Sequence, residues 1–446
     1  MTTTFNDLGL IEPLLRALTT ENYTIPTPIQ AQAIPLLLQG KDLLGIAQTG
    51  TGKTAAFTLP MLQRLAAEKI QAAPKTARAL ILAPTRELAV QIADSIRNYG
   101  RNLGLRQAVI LGGVGQNPQI KAMSRGVDVL VATPGRLLDL VNQKHVNLSG
   151  TGILVLDEAD RMLDMGFIRD VRKIVSVMPR KRQSLLFSAT MPTDVAKLAS
   201  DMLIDPVRVE VTPAATTVER IDQSVYFIDA GGKQALLTRL LQDKAMSKVI
   251  VFTRTKHRAN RVAEQLSKSG LPADAIHGNK SQSARQNALD RFKTGAARVL
   301  VATDIAARGI DVDGITHVIN FELPNEPESY VHRIGRTARA GAEGIAIAFC
   351  DPTERAYLRG IEKLTRVTLS VVGETPRDTG ESPPENGRNR PRTQAPRGRG
   401  GRPQESRHGE GRPAEGQQAD GRTGDAKSGA ARRRRRPRRS PMQQAA

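Results

Sequence analysis

The chain has 446 residues, 39% of them hydrophobic and 3% aromatic, with no Trp and one cysteine, Cys350. That length predicts two cores rather than one, and no apolar run approaches the roughly 18–20 residues that cross a bilayer. One cysteine excludes an intramolecular disulfide and argues against a Cys-based zinc site, while a net charge of +21 points to a polyanionic partner, nucleic acid before anionic membrane.

The opening stretch, MTTTFNDLGL, lacks a basic segment followed by an apolar one, so no secretory signal is expected; the lone cysteine fits a reducing, cytoplasmic setting. Short apolar runs then alternate with helical patterns to about residue 205. Strands are predicted at 42–47, 79–83, 107–111, 127–132, 153–156 and 183–187, with a helix at 86–98. Buried apolar strands alternating with helices predict a parallel sheet covered on both faces. Residues 206–217, with Pro206 and Pro213, read as a linker. A second series occupies 218–372, with strands predicted at 223–228, 248–252, 273–276, 298–302, 317–320 and 344–349. The fold class is therefore α/β, two similar lobes side by side. From 373 to 446 the composition turns to Gly, Pro, Arg, Gln and Glu, which predicts disorder, and residues 377–446 carry 18 Lys/Arg against 8 Asp/Glu.

Two motifs in the first half are the parts of an NTP·Mg²⁺ site. Ala47-Gln48-Thr49-Gly50-Thr51-Gly52-Lys53-Thr54 follows the first predicted strand. Gly50 and Gly52 let backbone N–H groups approach phosphates, Lys53 serves the β/γ oxygens, and the Thr54 hydroxyl suits the metal. Ala47 stands where the usual pattern has Gly, which demands only a φ that alanine can adopt. Asp157-Glu158-Ala159-Asp160 follows four apolar residues and places carboxylates at the C-terminal end of a buried strand, where a hydrated Mg²⁺ and an attacking water can be held. The chain reads as an ATPase.

These motifs and their order resemble the DEAD-box RNA helicases of superfamily 2, closest to the bacterial RhlE type, over nearly the whole chain to about residue 370. The resemblance implies two tandem RecA-like domains with parallel sheets, 1–205 and 218–372, followed by the disordered basic tail. It implies ATP and Mg²⁺ as cofactors and RNA as the partner. Tyr23 and Ile25-Pro26-Thr27-Pro28-Ile29-Gln30 look like the family's Q motif. Gln30 carries a donor and an acceptor on one amide, which matches adenine N6/N7; Tyr23 offers a face to the ring, and Phe5 is similar to the motif's isolated upstream aromatic. Asp157 is implied to hold Mg²⁺ through water, Glu158 to orient and deprotonate the attacking water, and Asp160 to bond Ser188-Ala189-Thr190 and so link hydrolysis to closure.

In the second half, His332-Arg333-Ile334-Gly335-Arg336-Thr337-Ala338-Arg339 matches the family's motif VI, with Ala338 where Gly is commoner. The match implies that Arg333 and Arg336 point into the cleft together, Arg336 being the better candidate for the arginine finger, and that Arg339 makes a structural salt bridge. Asp311 corresponds to the residue that contacts the ribose, with Arg308 near the same interface. RNA contacts carry over to residues 84–89, among them Thr85 and Arg86, and to Gly112-Gly113, Thr133, Arg136, residues 251–255, Gly278, Gln282, Arg285 and Thr303. Because Lys53 and Arg336 lie in different lobes, ATP hydrolysis is expected only when the lobes close. The implied function is ATP-dependent local separation of short or structured RNA duplexes, in the family's usual settings of ribosome assembly or RNA turnover. An ATP-gated RNA clamp or annealing chaperone stays open as an alternative, and a DNA translocase behind it. The arginine-rich tail reads as a sequence-indifferent RNA tether.

Overall fold

The computed structural model describes residues 3–48, 50–68, 70–211, 220–307, 310, 312, 314–338 and 343–373. Among them are two seven-stranded sheets, both wholly parallel. The first contains β1 (Leu43–Ile46), β2 (Ala77–Leu82), β3 (Gln107–Ile110), β4 (Val127–Ala132), β5 (Ile153–Leu156), β6 (Gln183–Ser188) and β7 (Val207–Glu210). The second contains β8 (Ile221–Phe227), β9 (Val249–Phe252), β10 (Ala273–Ile276), β11 (Val299–Ala302), β12 (His317–Asn320), β13 (Gly344–Cys350) and β14 (Ser370–Val371). The strand orders are β3-β4-β2-β5-β6-β1-β7 and β10-β11-β9-β12-β13-β8-β14. Strand for strand, the second lobe repeats the first.

The unbroken apolar runs follow from that architecture. Successive side chains on a strand face opposite ways, so a strand covered by helices on both faces has no polar side. Ala79 and Ile81 of β2 enter one core with Val129, Val131 and Val155, while Leu80 and Leu82 enter another with Leu130, Leu154 and Leu156. The second lobe does the same: Val249 and Val251 face one core, Ile250 and Phe252 the other. Each fully buried aliphatic side chain contributes about 1.5–3 kcal/mol. A charge at Val155, which is 0% exposed, would lose that and leave an ion unpaired in the core.

One sequence expectation fails at the junction. Val207–Glu210 is not linker but a strand, pairing with β1 in the register Leu43↔Val207. The pattern Val-Arg-Val-Glu hides it, because an edge strand leaves Arg208 and Glu210 exposed and buries only Val209 well. Residues 212–219 and the tail from 374 lie outside the described residues. Among the described residues no helix is long and apolar enough to cross a membrane.

Candidate active site and nucleic-acid interface

Parallel strands bring their C-terminal ends to one edge of each sheet, and ligands of such folds bind there. The phosphate loop leaves β1, Asp157-Glu158-Ala159-Asp160 leaves β5, and Ser188-Ala189-Thr190 leaves the end of β6 at that edge. After β1 the chain turns through Gly50 and Gly52, both with positive φ, into α3 (Lys53–Ala67). Gly52 is needed twice over: its φ is 91°, and a Cβ there would overlap the Gln30 amide. Ala47 has no positive φ, so the departure from the usual loop pattern carries no strain; its N–H donates to the Ser188 carbonyl at 3.0 Å. The Thr51 hydroxyl donates to the Gln48 carbonyl at 2.8 Å, and Lys53 Nζ folds back on the Ala47 carbonyl at 2.7 Å. Thr54 is the second residue of α3, and Thr49 lies outside the described residues.

Gln30 is 1% exposed. Its Oε1 accepts from Thr27 N at 2.9 Å and its Nε2 donates to the Gly52 carbonyl at 3.1 Å, so the amide bridges the upstream motif to the phosphate loop. Each end of that amide keeps one further hydrogen-bonding position. Tyr23 is 41% exposed and stands edge-on to Tyr99, with ring centroids 6.1 Å apart. Phe5 offers no face to a ligand, because it is buried in the first lobe's core with Leu8, Leu14 and Ile29.

At the end of β5, Asp157 N donates to the Leu82 carbonyl, but the side-chain Oδ1 is buried without a donor. Burial, joined by the charges of Glu158 and Asp160 and opposed by Lys53, pushes this carboxyl up to about 7. A carboxylate held this way suits a hard cation that keeps most of its waters, with Thr54 as the hydroxyl across the loop. Glu158 sits in the left-handed region at φ 55°, ψ 55°, where a non-glycine residue is strained. Its Oε2 is 3.2 Å from Arg161 Nη1. Asp160 Oδ2 accepts from Ala189 N, Thr190 N and Thr190 Oγ1 at 3.1, 2.9 and 3.1 Å. Ser188 Oγ accepts from Asp160 N and donates to the Thr190 carbonyl. The acidic turn and the Ser188–Thr190 turn are thus one hydrogen-bonded unit.

In the second lobe Arg333 is tied to neighbours within the lobe. This residue, on α14 (Pro327–Ile334), is 1% exposed. Its Nε and Nη2 clasp both oxygens of Asp304 at 2.6 and 2.7 Å, and its Nη1 donates to Asn320 Oδ1 and the Glu322 carbonyl. Such a guanidinium braces its own lobe, and it lines one pocket with Arg336, Phe252, Asp304 and His332. Arg336, 4% exposed, donates from Nη1 to the Ile310 carbonyl at 2.9 Å and from Nε to the His332 carbonyl at 3.2 Å. Asp311, Arg308 and Arg339 lie outside the described residues. Ala338 has φ 54°, so the position where Gly is commoner is one that asks for glycine.

The expected RNA contacts also line strand ends. Thr85 caps α4 (Arg86–Tyr99) by accepting from Leu88 N, and Thr133 holds the N-cap position of α6 (Pro134–Asn142). Arg86 lies across Gly112 and Gly113; a Cβ on Gly113, whose φ is 77°, would overlap the guanidinium. Arg136 Nη1 donates to the Val114 carbonyl at 3.1 Å. Burial and then the neighbouring Arg285, with Arg136 adding to it and Glu87 opposing, pull the Arg86 pKa down, the mark of a crowded positive patch. Thr303, 9% exposed, follows β11 and precedes Asp304. Arg285, on α12 (Gln282–Thr294), pairs with Glu87 of the first lobe at 2.9 Å, and Gln282 Nε2 donates to the same carboxylate at 3.1 Å. Glu87 was not singled out from the sequence, although it lies inside the 84–89 motif beside Arg86.

Comparison with known proteins agrees with this geometry. Residues 27–198 match the DEAD/DEAH box helicase family and residues 232–341 the helicase conserved C-terminal domain. The DEAD-box ATP-dependent RNA helicase CshA of Bacillus subtilis (strain 168) is 44% identical over 374 residues, 84% of this chain and 75% of that protein. CshA of Geobacillus kaustophilus (strain HTA426) is 45% identical over 364 residues, 82% and 77% of the two chains. The finer RhlE-type resemblance gains no support from these names. Among solved structures, S. cerevisiae Dbp5 bound to RNA and ADP BeF3 aligns with TM-score 0.72 at 33% identity, covering 83% of this chain and 95% of that one. Mss116p bound to ssRNA and AMP-PNP aligns with TM-score 0.75 at 30% identity, covering 85% and 81%. The phosphate loop bridged to Gln30, the acidic turn bonded to Ser188–Thr190, and a sequence match running through both lobes have one reading: the chain belongs to the DEAD-box ATP-dependent RNA helicases.

Proposed function

We propose that this chain hydrolyses ATP when RNA lies along the strand ends of both lobes, and uses the cycle to separate short or structured duplexes locally. The observation that carries the reading is the buried Asp157 oxygen without a donor, facing the lysine of a glycine-rich loop. When ATP binds, Lys53 exchanges the Ala47 carbonyl for phosphate oxygens, and Gln30 and Tyr23 take the adenine. Asp157 and Thr54 would hold a Mg²⁺, which supplies charge neutralisation at the β/γ-phosphates. Glu158, already strained into position, orients the water and accepts its proton. Arg336 exchanges backbone carbonyls for the charge that develops on the γ-phosphate, while Arg333 keeps its helix in place. Asp160, through Thr190, carries the state of the acidic turn to the Ser188–Thr190 turn.

RNA is held by helix N-termini and by Arg86 and Arg136, contacts to sugar and phosphate that give little sequence preference. The tail, 373–446, adds a basic tether. On single strands each phosphate it contacts adds about −0.7 to the log–log salt slope, so truncation near residue 372 should flatten that slope. The lone cysteine fits a cytoplasmic setting, and partners from ribosome assembly or RNA turnover follow from the family.

The test compares ATP turnover with RNA, with DNA of the same sequence, and with neither, alongside unwinding of a short duplex. Glu158→Gln is expected to keep ATP and RNA bound while turnover falls by about 10²–10⁴-fold. Equal stimulation by DNA would favour a translocase. RNA binding without strand separation would favour a clamp.

A further inference from the structure

The repeated strand order gives Lys53 a counterpart. β8 occupies the place of β1, and it leads through Gly231 and Gly232 into α10 (Lys233–Leu240), so Lys233 opens its helix as Lys53 opens α3. Here the lysine turns inward. Lys233 is 2% exposed, 3.0 Å from Asp351 Oδ2, and ion-paired with Glu354. Two carboxylates of its own chain stand where phosphate would be.

Glu354 is 0% exposed and joins four segments at the C-terminal edge of the second sheet. Oε2 takes Lys233 and Asp351 N, and Oε1 takes Leu323 N at 3.2 Å and Arg254 Nη2 at 2.9 Å. Arg254 leaves β9 inside the 251–255 segment. Its backbone N donates to Glu322 Oε2, its Nη1 is 3.4 Å from Asn325 Oδ1, and its guanidinium lies over the Tyr357 ring. The side chain stays 31% exposed, so part of the guanidinium faces solvent. Lys233 and Arg254 balance Asp351 and Glu354, and the cluster leaves no net charge in the core.

We propose that Glu354, fixed by Lys233, is a positioning residue that aims Arg254 at the RNA backbone. Lys233 opens its helix as Lys53 does, but its ammonium serves the carboxylate that holds Arg254. This inference rests on the reading that RNA lies along the strand ends.

The experiment measures ATP turnover of the full chain against oligouridine concentration for wild type, Glu354→Gln, Arg254→Met and the double variant. Each single variant is expected to raise KM for RNA roughly tenfold, the loss of one charge-assisted hydrogen bond, with KM for ATP and kcat at saturating RNA held. The double variant is expected to be no worse than Arg254→Met. Additive effects, or a kcat that falls with thermal stability while KM for RNA stays put, would overturn the inference. If Glu354→Gln does not fold, Arg254→Met, on a partly exposed side chain, decides alone, and an unchanged KM for RNA overturns the inference. Wild-type stimulation with no response in any variant defeats this inference only; no wild-type stimulation defeats the helicase reading and takes this one with it.

Discussion

Glu87 of the first lobe and Arg285 of the second form an ion pair 2.9 Å long, with side chains 2% and 9% exposed. The pair sits among Arg86 and Arg136, so removing the carboxylate leaves Arg285 facing like charges. A buried pair is costly to break from one side, because the remaining ion has lost its water and its partner. With the Gln282–Glu87 hydrogen bond, it joins the two lobes. Glu87→Gln is therefore expected to lower RNA-stimulated kcat/KM by about 5–150-fold, the usual range for a coupling term. ATP affinity without RNA, read by nucleotide titration, should be unchanged. A variant with wild-type stimulation would show that the pair is incidental.

Arg333 and Arg336 should separate by what they damage. Arg333 spends its donors on Asp304, Asn320 and the Glu322 carbonyl. A lysine cannot reproduce that fork. Arg333→Lys is expected to cost about 3–5 kcal/mol, a fall in Tm of roughly 6–20 °C for a lobe of this size. Arg336→Lys is expected to lose RNA-stimulated turnover with a smaller fall in Tm than Arg333→Lys. Thermal melts and turnover on both variants test this, and the reverse pattern would return Arg333 to the catalytic set.

Ala338 offers a test of backbone strain. Its left-handed φ costs about 1–2 kcal/mol, which glycine would relieve. Glycine also loses a buried methyl, about 0.8 kcal/mol, and gains unfolded-state entropy worth about 0.4–1 kcal/mol. These offset one another, so Ala338→Gly is expected to be near neutral in denaturant melts. Ala346→Gly, at a 0% exposed strand position without positive φ, has no strain to relieve and should cost about 1–2 kcal/mol. Equal losses at both sites would mean the strain is not felt.

What the sequence disclosed and what it hid divide along physical lines. The central strand β5 was legible to the residue, because burial on both faces forces an unbroken apolar run with sharp ends. β7 was missed because an edge strand satisfies one ladder and alternates with charge. In the site, the tight turn at Gly52 was legible because a glycine-rich loop opening a helix needs that residue type, while the Asp160–Thr190 bond came from the family resemblance and not from spacing. The partners of Arg333, Arg285 and Glu354 were not legible. An arginine one helical turn from another looks the same in sequence whether it meets a phosphate or an aspartate, and only the tertiary fold brings Asp304, Glu87 or Lys233 alongside.

His277 predicts a pH dependence in the same region. Its ring is 3% exposed; Nε2 meets Asn260 Oδ1 at 2.9 Å, and Nδ1 is buried without a partner. Since Oδ1 only accepts, the neutral ring carries its proton on Nε2, and a second proton would sit on Nδ1 with no acceptor. Burial first, then Lys280, Arg285, Lys256 and His257, hold its pKa below the ordinary 6.5. The unfolded chain therefore takes up a proton near pH 6.5 that the folded chain refuses until lower pH. Stability from this group is complete above 6.5 and is lost as pH falls from there toward the depressed folded value. His317, lowered by burial and by Arg298 against the opposing Asp243, acts in the same direction. Melting temperature followed downward from neutral pH should fall in the wild type and fall less steeply in His277→Asn. Parallel profiles would mean that His277 already takes up its proton in the folded state, and that the cations around it are too well screened to matter.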